Sequence, residues 1–239
     1  MATLASASWA DIESARADAC ALGASSVEVA AQTFTTALYR RFEDVALARL
    51  FIALPFKALP PDEAHAASSG EPLPPELLVL CLLGSAGRET SWNDRLKSVA
   101  HRAIPLSPAT IEKAPMVARL LSDLNPGRPA APQQDGVTVR LMATRGNGIF
   151  HVESAQTAKD LLGRHIIDRG FVERYGIESV FGMAGPYLDG VNVVAIVFSQ
   201  TRIDRMAADR YGSLINSFKM ATARLYTNEK IWARRAAAT

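Results

Sequence analysis

The fold of this chain is decided by residues 175–226, YGIESVFGMAGPYLDGVNVVAIVFSQTRIDRMAADRYGSLINSFKMATARLY. Two apolar runs, Glu178–Tyr187 and Val191–Ser199, flank Asp189-Gly190, and an Asp-Gly pair in that setting is a strong signal for a β-hairpin turn. The second run, VNVVAIVFS, has no polar face, which predicts a strand in the interior of its sheet. The stretch therefore predicts a strand, a turn and a second strand, followed by a helix.

The helix after this hairpin is amphipathic. Thr201 is a candidate N-cap, and Asp204 lies in the first turn, where the helix dipole favours a carboxylate. Apolar residues then recur at steps of mostly three and four, which places them on one face of a helix. They are Ile203, Met206, Ala207, Tyr211, Leu214, Ile215, Phe218, Ala221 and Leu225. The pattern predicts one long C-terminal helix with a single buried face.

Length and composition exclude several classes of protein. The chain has 239 residues, enough for one core or for a core with a helical extension. Its net charge of +2 is too small to indicate a nucleic-acid partner or an anionic membrane surface. No run approaches the roughly 18 apolar residues of a membrane span, and no basic segment precedes an apolar run at the N-terminus. We therefore expect a cytoplasmic protein.

The two cysteines, Cys20 and Cys81, lie far apart and have no histidine at zinc-site spacing. Cys81 stands in the apolar run LLVLCLLG, which predicts a small buried hydrophobic residue. We expect neither a disulfide nor a structural metal from this pattern.

The first part of the chain predicts two helices and a strand. The helices are Trp9–Leu22 and Val27–Phe42, each preceded by a serine able to cap it. Val45–Leu59 alternates in hydropathy and predicts a strand, which Pro55 would place at an edge or a bulge. Pro60–Pro75 is rich in proline, serine and acidic residues and predicts a surface loop.

The segment that follows carries the most unusual chemistry in the chain. Glu76–Leu83 predicts a buried strand that Gly84 would end, and residues 84–106 read GSAGRETSWNDRLKSVAHRAIPL. Its last six residues predict a short strand, followed by a helix over Ser107–Leu124. The segment has none of the spacings of a phosphate-binding loop.

Two interpretations of this motif stay open. In the first it is a packed corner, in which Trp92 fills the core, Asp94 pairs with Arg95 within a loop network, and Arg102 faces solvent. In the second it is a pocket wall: the glycines let backbone approach a ligand, Trp92 stacks on the ligand, and Arg95, His101 and Arg102 hold a polar or anionic group.

The remaining chain predicts a hairpin and two helical stretches. Val137–Ala143 and Ile149–Val152 form the hairpin, and Ser154–Gly163 and His165–Tyr175 are helical. His151 and His165 are the candidates for ligating a metal or a haem iron. No Cys-x-x-Cys-His sequence would attach haem covalently.

The whole string of motifs resembles a known family. GSAGRETSWNDR, HRAIPL, PMVARLL, GIFHV and FVERYGIESVFGMAG are similar to a GAF-like sensory domain of bacterial signal-transduction proteins, the N-terminal sensor module of histidine kinase type proteins. The resemblance implies an α+β fold with a GAF/PAS-like central antiparallel sheet and the N- and C-terminal helices packed together on one face. It implies an N-terminal helical segment at 1–44, the sensor domain at 45–225, and a continuation of the C-terminal signalling helix at 226–239.

The family further implies a cytoplasmic module that binds a small molecule and transmits through its terminal helices, as a homodimer, to an output domain or partner of a two-component system. The residues expected to line the pocket are Trp92, Arg95, His101, His151, Phe181 and Met183. The alternative is a haem- or other cofactor-based gas or redox sensor on the same fold, with His151 or His165 as the iron ligand. A further alternative is a small enzyme of unknown reaction, with Asp94 and His101 as acid-base groups. The ligand and the output partner do not follow from the sequence, and no catalytic residue is assigned.

Overall fold

The computed structural model describes residues 2–20, 23–68, 72–98, 101–124 and 148–233. Within these ranges six strands form one sheet with the order β3-β2-β1-β6-β5-β4, antiparallel at every pairing. The strands are β1 Val45–Pro55, β2 Leu78–Gly87, β3 Ala103–Pro105, β4 Gly148–Val152, β5 Ser179–Pro186 and β6 Asn192–Ser199. The apolar strand β6 lies between β1 and β5, which confirms its predicted interior position.

The helices lie on both faces of this sheet. They are α1 Trp9–Cys20, α2 Val27–Arg41, α3 Pro61–Ser68, α4 Pro108–Lys113, α5 Pro115–Leu124, α6 Arg169–Tyr175, α7 Arg205–Arg210 and α8 Gly212–Thr227. The terminal helices α1, α2 and α8 pack against one another, and α2 and α8 also contact strands of the sheet. This arrangement confirms the predicted α+β fold with terminal helices together on one face. Across the described residues, no helix combines the length and the apolar character that a membrane span requires.

Each face of the sheet has its own core. The first face, under the terminal helices, buries Phe34, Leu50, Phe181, Tyr211 and Phe218. The second face, under α4, α5 and α6, buries a different set of residues that includes Phe51, Leu82, Leu120, Phe150 and Val194. Strands that are buried on both faces need no polar side, which explains the long apolar runs of β2 and β6.

The β5–β6 hairpin has a longer turn than the Asp189-Gly190 pair predicted. The loop holds three residues, Leu188 to Gly190, because the Tyr187 N–H donates to the Val191 carbonyl (2.8 Å). The Gly190 N–H donates to the Tyr187 carbonyl (3.0 Å), and Gly190 has φ 92°. This is the three-residue hairpin loop in which a glycine takes the left-handed position.

The predicted C-terminal helix is two helices, α7 and α8, joined at Tyr211. Tyr211 is fully buried and its hydroxyl donates to the Leu4 carbonyl (2.7 Å). One helical period does not extend across this junction, so Met206 is 78% exposed although the periodicity placed it on the buried face. The N-cap is Asp204, not Thr201, since the Thr201 hydroxyl donates to Asp44 instead.

Replacing Asp204 by Ala is expected to lower the free energy of unfolding by about 1 kcal/mol, because its carboxylate accepts the Ala207 N–H at the start of α7 (2.7 Å). Urea denaturation measures the change. Asp209→Ala is the control, since this exposed carboxylate only pairs with Arg205 on the same helix and should cost less than about 0.5 kcal/mol. Equal losses in the two variants would contradict the cap.

Two predictions about β1 and its surroundings are wrong. Strand β1 has neighbours on both sides, so Pro55 does not mark an edge, and the register shift between β1 and β2 falls between Leu50 and Phe51 and not at Pro55. Pro55 lies beyond Ile52, the last β1 residue paired with β6, where a missing N–H costs no bond to that strand. The predicted surface loop Pro60–Pro75 contains helix α3, because Pro61 stands at the first helical position, which proline tolerates.

Several predicted boundaries also change. Gly84 does not end β2, which runs on to Gly87. The helix over Ser107–Leu124 divides into α4 and α5 at Pro115, whose ring cannot continue the first helix. Ser154–Gly163 forms turns and not a helix. The predicted strand Val137–Ala143 lies outside the described residues.

The C-terminal segment does not continue helix α8 as expected. The helix ends at Thr227, and Glu229 takes φ 57°, which turns the chain away from the helix axis. The carbonyls of Lys230 and Ile231 then accept the N–H groups of Val27 and Glu28 (2.9 Å each). Residues 228–233 therefore return to the start of α2. The division at residues 44 and 225 stays a prediction.

Candidate functional site

The structure does not bring the predicted pocket residues together. Phe181 and Met183 lie on β5 and point to the first face, where both are fully buried. The Phe181 ring packs against Tyr211, with ring centroids 5.3 Å apart. These two side chains thus belong to the core beneath the terminal helices.

His151 lies on the same face, opposite Phe181 in the β4–β5 pairing. It is 8% exposed, and its Nε2 is 2.8 Å from the Ile203 carbonyl. A carbonyl only accepts, so Nε2 carries the proton and donates it to this bond. This hydrogen bond holds β4 against the start of α7, and Nε2 is therefore not free to ligate iron.

His165, the other candidate iron ligand, lines an open cleft of about 750 Å³ between α6 and the loop before it. Its Nδ1 is buried and has no hydrogen-bond partner. Lys159, Arg169 and Glu173 give the cleft mixed charge. No three His, Cys, Asp or Glu residues in the described ranges are grouped so as to hold a metal ion. Haem ligation by His165 stays a prediction.

Trp92 packs on the second face. Its ring lies 4.6 Å from that of Tyr175 and 5.8 Å from that of Phe171, centroid to centroid, and Phe171 in turn contacts Phe198 on β6. The neighbouring Asn93 accepts the Gly87 N–H (2.9 Å), which holds the turn against the end of β2. Trp92 therefore anchors residues 88–98 to the second-face core, as the packed-corner interpretation expects.

Arg95, three residues later, lies on the opposite side of the sheet. Its side chain is only 4% exposed. Its Nε donates to Oε1 of Glu28 in the first turn of α2 (2.7 Å), and its Nη1 donates to Oε1 of Glu63 on α3 (2.9 Å). Asp94 does not pair with it and instead accepts the Leu96 N–H (3.0 Å). The packed-corner interpretation therefore has the wrong partner for Arg95.

Arg102 completes the group, since its Nε and Nη2 donate to the Glu63 carboxylate (3.0 and 2.8 Å). We call Glu28, Glu63, Arg95 and Arg102 the buried ion cluster. Burial alone would raise the pKa of Glu63, but the hydrogen bonds and charges of Arg102 and Arg95 outweigh it and hold that pKa below its usual value. Two carboxylates balance two guanidinium groups, so the cluster is neutral.

The buried ion cluster also contacts the C-terminal segment. The Arg95 guanidinium lies 5.2 Å from the centre of the Trp232 ring, a cation–π distance. The second carboxylate oxygen of Glu28 accepts the Ala233 N–H (2.9 Å). Arg95 thus joins the start of α2 to residues 228–233 after α8, and we call these two parts of the chain the terminal segments.

His101 directly precedes Arg102 of the buried ion cluster in the sequence. No hydrogen bond joins it to Asp94, so the acid-base pair suggested for an enzyme is not assembled. Desolvation and the nearby positive charge of Arg49 both lower the pKa of His101.

Arg49 is the residue that sequence reasoning missed. It lies in the middle of β1 and, by alternation with Leu47 and Phe51, points to the second face. Its register partners are Ser85 on β2 and Ile196 on β6. The available signal was one arginine inside the apolar run VALARLFIAL, since a charge within a strand buried on both faces is costly without a partner.

No protein-family model matches the chain, and no curated protein matches it. Among solved structures, the phycocyanobilin-bound GAF domain of a cyanobacterial phytochrome is 10% identical with a TM-score of 0.47, covering 91% of this chain and 96% of that one. The phycoerythrobilin-bound GAF domain of a cyanobacterial phytochrome is 9% identical with a TM-score of 0.43, covering 92% and 96%.

The chromophore-binding domain of a bacteriophytochrome from R. palustris is 8% identical with a TM-score of 0.46, covering 92% of this chain and 61% of that one. All three TM-scores lie below 0.5, and the function proposed next therefore rests on the geometry of this chain alone.

Proposed function

We propose that this chain is a ligand-binding sensory module, in which a small molecule held on the second face of the sheet changes the packing of the terminal segments. The observation that carries the proposal is the placement of Trp92 and Arg95. Only two residues separate them, yet Trp92 is anchored on the second face and Arg95 is held between the two terminal segments on the first. A displacement of one side chain therefore acts on the other.

The transmission follows from the contacts of Arg95. A ligand that shifts residues 88–98 changes the geometry of the Arg95–Glu28 and Arg95–Glu63 pairs, because both bonds are short and buried. Glu28 in turn holds Ala233. For a signal to result, the ligand must bind one arrangement of these contacts more tightly than another. The homodimer, the output partner and the cytoplasmic location stay predictions from the resemblance.

Replacing Trp92 by Ala is expected to speed hydrogen exchange at residues 27–28 and 230–233, although Trp92 touches neither. Loss of its contacts with Tyr175 and Phe171 frees residues 88–98, which loosens the Arg95 contacts with Glu28. Exchange measured by mass spectrometry on peptides from α2 and the C-terminal segment tests this.

The matched control is Ile166→Ala, which also removes buried apolar contact from the second-face core but lies outside residues 88–98. It should destabilise the protein without selective exchange at the terminal segments. If the two variants change exchange there equally, or if Trp92→Ala acts only near its own site, the coupling does not exist and the proposed function fails.

A further inference from the structure

Arg49 places a positive charge at the centre of the second face. Its cross-strand neighbours on that face are Ser85 and Ile196, and the residues before and after it on the same face are Leu47 and Phe51. Apart from Ser85, these neighbours are apolar. The side chain of Arg49 therefore leaves the sheet among mainly apolar neighbours.

The side chain has no counter-ion among the residues that the structure describes. Its Nε is buried and makes no hydrogen bond, and none of the ion pairs includes it. Burial lowers the pKa of Arg49 to about 10, so the group still carries its charge at neutral pH. Arg49 is partly exposed, but its Nε is buried, and a buried donor without a partner is unfavourable unless a ligand or an ion completes the site.

Ser85 supplies a second unsatisfied group beside it. The serine is 1% exposed, and its hydroxyl oxygen is buried without a hydrogen-bond partner. Because Ser85 is the register partner of Arg49, the two side chains project from adjacent strands on the same face. A hydroxyl donor next to a guanidinium fork is a suitable pair for an oxyanion.

We propose that Arg49 and Ser85 bind the carboxylate or phosphate group of a small ligand on the second face of the sheet. The oxyanion accepts two N–H bonds from the guanidinium and one O–H bond from the serine. The inference rests on the proposed function: it names the chemical class of the ligand whose binding changes the packing of the terminal segments. Desolvation and the nearby charge of Arg49 both lower the pKa of His101, and His101 directly precedes Arg102 of the buried ion cluster in the sequence.

Thermal unfolding with sodium acetate or sodium phosphate, compared with sodium chloride at matched ionic strength, tests the site. We expect acetate or phosphate to raise the melting temperature of the unaltered protein above the chloride value, and the two salts tell a carboxylate site from a phosphate site. Arg49→Met keeps the length of the side chain and removes its charge. It should weaken the apparent anion affinity at least about tenfold, while its melting temperature without anion equals or exceeds that of the unaltered protein.

Arg169→Met is the matched control, because Arg169 is an exposed arginine paired with Glu173 and lies away from Arg49. It should keep the full response. Should Arg49→Met fail to fold, Arg49→Lys retains the charge and loses the fork, and Ser85→Ala removes the hydroxyl, so each should weaken the response. No oxyanion effect in the unaltered protein, or the same effect in the Arg49 and Ser85 variants, overturns the proposal.

This outcome is separate from that of the proposed function. If the protein binds the anion but exchange at residues 230–233 does not change, the anion site is supported and the proposed sensory coupling is contradicted. If Trp92→Ala alters exchange but the protein binds no anion, the coupling is supported and the proposal of an oxyanion ligand is contradicted.

Discussion

Replacing Glu63 by Gln is expected to lower the free energy of unfolding by about 3–5 kcal/mol, the cost of removing one partner from a buried ion pair. Glu63 is 1% exposed and accepts hydrogen bonds from both Arg95 and Arg102. The amide is isosteric with the carboxylate, so the loss reflects charge and not volume. Arg95 would then keep its pair with Glu28, whereas Arg102 would lose the carboxylate that it contacts. Denaturation by urea at neutral pH, with the midpoint and slope fitted together, measures the loss.

The control is Glu76→Gln, because Glu76 pairs with Lys57 at the surface, where both side chains are more than half exposed. That pair should contribute less than about 1 kcal/mol. A Glu63→Gln loss no larger than the Glu76→Gln loss would contradict the assignment of a buried ion cluster.

The same comparison has a predicted pH dependence. The folded-state pKa of Glu63 lies below its usual value, so its ionised form stabilises the protein fully above the unfolded pKa of about 4.3. That stabilisation is lost as the pH falls through the lowered folded-state pKa. The unaltered protein and Glu63→Gln should therefore differ most near neutrality and converge in acid.

Replacing Gly84 by Ala is expected to cost about 3 kcal/mol of stability, at the upper end of the range for overpacked sites. An added Cβ would come within 2.4 Å of the backbone carbon and oxygen of Ala31 on α2. Backbone atoms cannot rotate away as a side chain does, so α2 must move off the sheet. The Gln32 side chain, which bonds both backbone groups of Ser85 (2.8 and 3.2 Å), would lose its geometry as well.

Chemical denaturation measures this cost, and Gly23→Ala is the control. A Cβ at Gly23 meets no atom within 4 Å, so that variant should change the free energy of unfolding by less than about 0.5 kcal/mol. If Gly84→Ala unfolds at the same denaturant concentration as Gly23→Ala, then α2 does not lie as close to β2 as described.

The sequence predicts those parts of the fold whose signals are local. Helix α2 matches its prediction to within one residue, because its cap, Ser26, and the apolar spacing of Val27, Ala30, Phe34 and Leu38 lie within one segment. The β5–β6 hairpin follows from an Asp-Gly pair between two apolar runs. The same local view misassigned Gly84 as a strand end, because its role depends on Ala31, which lies 53 residues away in sequence.

The candidate site was much less predictable, because its contacts join distant parts of the chain. Arg95 was expected to pair with its neighbour Asp94, but its partners are Glu28, 67 residues away, and Glu63, 32 residues away. Strand alternation alone does not say which face of the sheet the terminal helices cover. Phe181 and Met183 therefore read as pocket residues from the sequence but lie in the first-face core, and no local pattern gives Arg49 a role.

The central claim is that an anion bound at Arg49 is sensed at the terminal segments. Hydrogen exchange at residues 27–34 and 226–233, with acetate or phosphate against chloride at matched ionic strength, tests it most directly. We expect the oxyanion to slow exchange in both peptides of the unaltered protein and to have no effect in Arg49→Met. Slowed exchange confined to β1 and β2, or an equal change in Arg49→Met, would contradict the account.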